Sequence, residues 1–199
     1  MRSQIRAGAL TCLLLAGIIS SSPARSVFGA PQDTQPLPSP SAVVKPHTYV
    51  SLEPVPRGKE FQAAIVVEIA RGFHMNSHKP SESYLIPTTV TPQLPAGIAL
   101  LDTIYPSGTL EKFTFSPAKP LDVYTGSVTL RLRLAAAKDA PLGAATIAVT
   151  LRYQACNDTT CLQPVKVSVE IKLEVAEAGA KARAVHPEVF TAGNSPQKK

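Results

Sequence analysis

The chain has 199 residues, 44% of them hydrophobic and 17% charged, with a formal net charge of +6 from 20 basic and 14 acidic side chains. That excess lies mostly outside the central part: between Pro46 and Val175 the two signs nearly balance, and no basic stripe with interleaved aromatic residues runs through it, which argues against nucleic acid as a partner. There are three cysteines and no tryptophan.

At the start, Arg2 and Arg6 precede an apolar run from Ala7 to Ile19, and small residues follow it. This is the pattern of a secretory signal peptide, with Ser22-Pro23-Ala24 as its processing site, so residues 1–24 are expected to be removed. Cys12 would leave with them. Ala9-Leu10-Thr11 in front of Cys12 makes a poor lipobox set inside the apolar run, so lipid attachment there is the weaker reading. No later stretch approaches the roughly 20 apolar residues of a membrane-spanning helix. The mature chain is therefore expected to be exported and soluble, periplasmic or in an equivalent oxidising compartment, with no integral membrane segment.

Residues 25–45 are rich in Pro, Ser, Gln and Ala and bury too little apolar surface to offset their ordering entropy, which predicts a flexible linker. From 46 to 175 the periodicity is that of strands. Phe61 to Ile69 is rich in β-branched residues, Val128 to Leu134 alternates apolar with polar, and Val165 to Val175 does so for its whole length. Further strands fit Tyr49 to Glu53, Leu85 to Val90, Ile98 to Tyr105 and Ala145 to Gln154. Turn signals punctuate them at Pro56-Arg57-Gly58, Pro95-Ala96-Gly97, Pro106-Ser107-Gly108, Thr125-Gly126 and Pro141-Leu142-Gly143. From 176 to 199 the composition turns to Ala, Lys and Gly, which predicts a disordered tail, with a short helix over Ala178 to Val185 as the alternative. The expectation is one all-β domain, an antiparallel β-sandwich of the immunoglobulin-like kind.

Cys156 and Cys161 are the thiols that would remain after export. They flank the last turn, where Asn157-Asp158-Thr159-Thr160 supplies turn-forming residues. They are too close in sequence to bridge two sheets. A disulfide closing so small a loop stabilises by only about 2 kcal/mol before strain is subtracted. A domain of this size does not need such a staple. The loop does hold two sulfurs at one end of a rigid scaffold, as thiol exchange requires: one sulfur for a partner to attack, and a second nearby to resolve the mixed disulfide. An inert bridge pinning a hairpin fits the spacing as well.

His74-Met75-Asn76-Ser77-His78 invites a copper reading, since imidazole and thioether suit that metal. Along an extended strand, however, the two histidines share a face about 13 Å apart, and Met75 points the other way. No metal site is expected, and no phosphate-cradling glycine loop or nucleophile elbow is visible.

Two segments in this order carry a resemblance: Gly72 to Pro80 with Tyr84-Leu85-Ile86-Pro87-Thr88, and Tyr153 to Pro164. Together they make the region from about Lys45 to Val175 similar to the family of the amino-terminal periplasmic domain of the thiol:disulfide interchange protein DsbD. The resemblance implies an immunoglobulin-like fold with a redox pair, Cys156 and Cys161, on a terminal hairpin. Cys161 matches the sulfur that forms the mixed disulfide with a partner, and Cys156 the one that resolves it.

It also implies a loop whose aromatic residue shields the disulfide until a partner arrives. Phe113 and Phe115 are the candidates, with packing in the core as the alternative for either. Tyr124, Tyr153, Asn157 and Asp158 are candidates for shielding or support around the pair. The implied partners are a membrane-embedded thiol electron carrier and thioredoxin-like periplasmic clients, with no cofactor, because the sulfurs hold the electrons. Two departures stand out: some members have one more residue between the cysteines, and Gln163 stands where a second proline is common. The chain shows no transmembrane or thioredoxin-like domain, so the donor is expected to be another polypeptide. The rival reading is a non-enzymatic immunoglobulin-like binding module with a permanent disulfide.

Overall fold

A computed structural model of the chain describes residues 36–191. The expected signal peptide with Cys12, and most of the expected linker, lie outside the described residues.

In chain order the elements are α1 (Pro40–Val43), β1 (Val44–Val50), β2 (Leu52–Glu53), β3 (Val55–Pro56), β4 (Glu60–Ile69), β5 (His74–Asn76), β6 (Thr89–Gln93) and β7 (Ile98–Ile104). They continue as β8 (Thr109–Phe113), β9 (Ser116–Tyr124), β10 (Ser127–Ala136), β11 (Gly143–Tyr153), β12 (Ala155–Cys156), β13 (Val165–Ala176), β14 (Arg183–Ala184) and α2 (Pro187–Phe190). Two four-stranded sheets, ordered β1-β4-β10-β7 and β3-β13-β11-β6, form the sandwich. A third, β12-β5-β9-β8, carries the cysteine hairpin, and β14-β2 is a small two-stranded addition. The architecture is the expected all-β, immunoglobulin-like sandwich.

Alternation explains the body. In β10 Val128, Leu130, Leu132 and Leu134 are buried, while Arg131 and Arg133 between them point away from the core. Facing them from the second sheet are Ile147, Val149 and Leu151 of β11 and Ile171, Leu173 and Val175 of β13, all members of one cluster. A strand with one oily face needs a second such face to cover it, and the two sheets supply each other. β11 and β13 pair without interruption from Gly143↔Val175 to Tyr153↔Val165, and this hairpin leads directly to the cysteines.

Several expectations differ from the structure. The strand expected over Leu85 to Val90 begins only at Thr89. Pro87 interrupts the preceding stretch, and Leu85 turns into a small separate cluster with Phe113, Leu121 and Val123. Tyr49 to Glu53 is split between β1 and β2 at Ser51.

Residues 40–45, at the end of the stretch expected to be a linker, are placed in α1 and β1. Val43 and Val44 are buried, Val44 pairs with Ile69, and the Ala70 N–H donates to the Val43 carbonyl at 2.8 Å. Two adjacent valines supplied an anchor that the average composition of residues 25–45 concealed.

The segment after Ala176 is also placed, as far as residue 191. Arg183 and Ala184 pair with Glu53 and Leu52, the Val185 N–H donates to the Ser51 carbonyl, and the helix forms at Pro187–Phe190 rather than over Ala178 to Val185. It is held by backbone pairing to a short, partly buried strand, for which composition gives no signal.

Candidate functional site

The site begins where β11 ends. After Tyr153 the chain leaves the second sheet, and Ala155–Cys156 pairs instead with β5, setting Ala155 opposite Met75 and Cys156 opposite His74. The turn that follows is organised by Asn157. Its carboxamide oxygen accepts from the Thr159 N–H at 3.0 Å, the Thr159 hydroxyl at 3.1 Å and the Thr160 N–H at 2.8 Å, while its own N–H donates to the Thr160 carbonyl at 2.9 Å. An asparagine side chain that substitutes for a backbone acceptor in this way closes a tight turn. The Leu162 N–H then donates to the Ala155 carbonyl at 2.8 Å, and the buried Leu162 side chain joins the main core. Both feet of the hairpin are anchored.

Between those feet Cys156 and Cys161 face each other as an antiparallel bridge, with their Cα atoms 3.9 Å apart and their sulfurs joined at 2.05 Å. The two are unlike in exposure. Cys156 is 1% exposed, whereas Cys161 lies on the surface. A thiol arriving from solvent meets the second cysteine first.

The β8–β9 hairpin approaches from the side. Its two-residue tip, Thr114-Phe115, is tied to the cysteine turn because the Thr114 hydroxyl donates to the Asp158 carbonyl. The tip separates the two phenylalanines that the sequence left equivalent. Phe113 is buried in the small cluster with Leu85, Leu121 and Val123, and its ring stacks on the His74 imidazole at 4.0 Å and 22°. Phe115, 40% exposed, continues the stack outward, 5.4 Å from Phe113 and 6.4 Å from His74. Phe113 is thus a core residue as well as a neighbour of the site, and Phe115 is the ring presented to solvent.

The tyrosines serve other places. Tyr153 is buried with its hydroxyl donating to the Pro40 carbonyl at 3.1 Å, so it clamps the start of the domain. Tyr124 donates to the Pro106 carbonyl at 2.9 Å and accepts from the His78 N–H at 3.2 Å; burial pushes its pKa up to about 12. It stays a neutral brace for the loops beside β9. The histidines of the Gly72 to Pro80 segment are likewise apart in role. His78 stacks on Tyr105 at 3.6 Å with Nδ1 3.0 Å from the Thr88 carbonyl, whereas His74 lies against Phe113. Among the described residues no group of three or more His, Cys, Asp or Glu is arranged to hold a metal ion.

His74 lies beside the pair without a role having been assigned to it from the sequence, where its segment carried the family resemblance and a disfavoured copper reading. Gly72, at φ +80°, makes the turn that delivers it; that conformation carries little penalty only for glycine. Its imidazole is 2% exposed, and burial lowers its pKa to about 4 against the opposing pull of the Asp158 carboxylate. His74 Nε2 has no hydrogen-bond partner among the described residues. The available signal was the pairing of its segment with the cysteine segment in the resemblance; the cross-strand contact itself has no local trace.

The family described as thiol:disulfide interchange protein DsbD, N-terminal, matches residues 41–173. The chain belongs to the DsbD N-terminal family. Among solved structures, the N-terminal periplasmic domain of ScsB from Proteus mirabilis superposes on this DsbD-type domain with a TM-score of 0.50 at 13% identity, covering 78% of this chain and 54% of that one. At that identity the likeness speaks for the fold, and the chain spans about half the length of that protein. AggA, the major subunit of aggregative adherence fimbriae type I from Escherichia coli, aligns over 66% of this chain and 96% of its own at 9% identity, with a TM-score of 0.28, too low to bear on the fold. No curated protein matches the chain. Family membership and the Cys156–Cys161 disulfide together mark a thiol-disulfide interchange domain. No helix among the described residues is long and apolar enough to cross a membrane.

Proposed function

We propose that this domain works in the periplasm as an electron relay, taking electrons from a membrane-embedded thiol carrier and passing them to oxidised thioredoxin-like clients through Cys156 and Cys161. The observation that carries the reading is the unequal exposure of the pair: a surface sulfur to be attacked, backed by a buried one five residues earlier that stays within reach. Loading begins when a donor thiolate attacks Cys161 Sγ. A donor–Cys161 disulfide forms, the Cys156–Cys161 bond breaks, and Cys156 leaves with the bonding electron pair and gains a proton. The donor's second thiol then attacks its own sulfur in the mixed disulfide, releasing Cys161 and leaving the domain as a dithiol. Unloading runs the other way. Cys161 thiolate attacks the client's disulfide, and Cys156, after losing its proton, attacks Cys161 Sγ and expels the client's sulfur, so two electrons have moved to the client.

Phe115 serves as the shield, since it is the ring at the hairpin tip, and Asn157 and Asp158 support the turn. Single-cysteine trapping tests the roles. Cys156→Ser, which keeps Cys161, should accumulate mixed disulfides with thioredoxin-like proteins, and Cys161→Ser should not; equal trapping by both would defeat the division. A reduction potential clearly below about −300 mV would mark a permanent structural bridge and favour the binding-module alternative.

A further inference from the structure

Four polar side chains are buried among the described residues, His74, Asn76, Ser77 and Thr88, and of these His74 alone stands opposite a cysteine. Residues directly opposed in an antiparallel pair project to the same face with their Cβ atoms about 4.5–5.5 Å apart. The imidazole therefore shares its face of the small sheet with Cys156, and Phe113 stacked at 4.0 Å holds its plane. Yet Nε2 has no partner among the described residues, although it is sealed from solvent. Folded proteins rarely bury a polar atom unsatisfied, and one beside a bond that opens and closes can find its partner in the other state of that bond.

We propose that His74 Nε2–H is the hydrogen-bond donor that receives Cys156 Sγ when the disulfide opens. The inference rests on the exchange reading above and specifies how the buried half of the pair is accommodated. In the disulfide Cys156 Sγ is a weak acceptor. When a thiolate attacks Cys161 Sγ, the bond to Cys156 breaks and Cys156 Sγ departs with the electron pair as a thiolate. At 1% exposure it has almost no water to solvate that charge. A donor on the same face of the sheet can form a charge-assisted bond that exists only after cleavage, so the open form is stabilised and the closed form is not.

The protonation state suits the role. Burial holds His74 neutral at any pH well above about 4, and a neutral imidazole has one ring proton to donate and no net charge to bury while the disulfide is closed. The Asp158 carboxylate, on the turn between the cysteines, is the charged group acting on His74 and opposes that effect of burial.

The test uses the full chain and a small dithiol, so no protein partner enters. His74→Phe keeps a ring in the stack and removes the donor, while His74→Gln restores an N–H. Equilibration with dithiothreitol, read by alkylation and mass, should show His74→Phe shifted toward the disulfide by about tenfold, with His74→Gln recovering part of the loss. In a Cys161→Ser background the same His74→Phe change should raise the Cys156 thiol pKa, followed by thiolate absorbance. The unaltered protein provides a readout independent of variant folding: the imidazole 15N resonances of His74 should move when the disulfide is reduced. An unchanged dithiothreitol equilibrium in His74→Phe, or imidazole resonances indifferent to redox state, would overturn the proposal. Failure of Cys156→Ser to trap any thioredoxin-like protein would instead bring down the relay reading and leave these measurements standing.

Discussion

Between β4, β10, β11 and β13 the interior is aliphatic, with Ile65, Leu130, Leu132, Ile147 and Leu151 all at 0% exposure, whereas the end formed by β5, β9 and β12 buries His74 and Asn76 with Ser77 just beyond. That same end holds His74 Nε2, Asn76 Oδ1 and Asp122 Oδ1 without hydrogen-bond partners among the described residues. One region maximises burial of apolar area, the dominant favourable contribution to folding. The other keeps polar atoms out of water without fully satisfying them, a cost that persists where a site must occupy more than one state. Stability and chemistry are thus assigned to different ends of one sandwich, joined by the long β11–β13 hairpin.

The largest effect should come from disturbing the body. Leu132→Ala empties a fully buried position on β10 and should cost about 2–5 kcal/mol in chemical denaturation. Replacing both Cys156 and Cys161 by Ala should cost no more than about 2 kcal/mol by the same measurement, because the loop they close is short. A reversal of that order would mean that the disulfide is structural.

A second effect sharpens the contrast through pH. The folded pKa of His74, about 4, lies below its ordinary value of 6.5, so the unfolded chain binds more protons between these values. The neutral His74 contribution is then complete above about pH 6.5 and is lost as pH falls toward 4, by up to about 3 kcal/mol. Denaturation midpoints at several pH values should show this slope, and His74→Phe should flatten it. A slope unaffected by the substitution would mean that other groups produce it.

The smallest effect on stability should come from the exposed tip. Phe115→Ala should change the unfolding free energy by no more than about 0.5 kcal/mol while speeding reduction of the disulfide by dithiothreitol in stopped kinetic assays. An unchanged rate would remove Phe115 as the shield.

Much of the body was legible beforehand. Val128 to Leu134 and Val165 to Val175 fall within β10 and β13 because a half-buried strand writes its two faces into alternate residues, and Phe61 to Ile69 falls within β4 because its β-branched residues favour extended backbone. The cysteine turn was legible for a similar reason, since Asn157 and its neighbours close it with local hydrogen bonds. The β8–β9 hairpin was not: Pro117, Pro120 and an exposed Leu110 blur its alternation, and its place is set by pairing with β5 across Met75↔Tyr124 and Asn76↔Val123.

The sequence by itself determined the all-β class, the main strands and the identity of the two sulfurs, all of which depend on interactions between residues near one another along the chain. Tertiary structure alone decided that Cys156 is buried and Cys161 exposed, that Phe113 packs while Phe115 emerges, and that His74 stands opposite Cys156. Those outcomes depend on which strands meet across the sheet, and such contacts between distant segments leave no periodic mark in the chain that makes them.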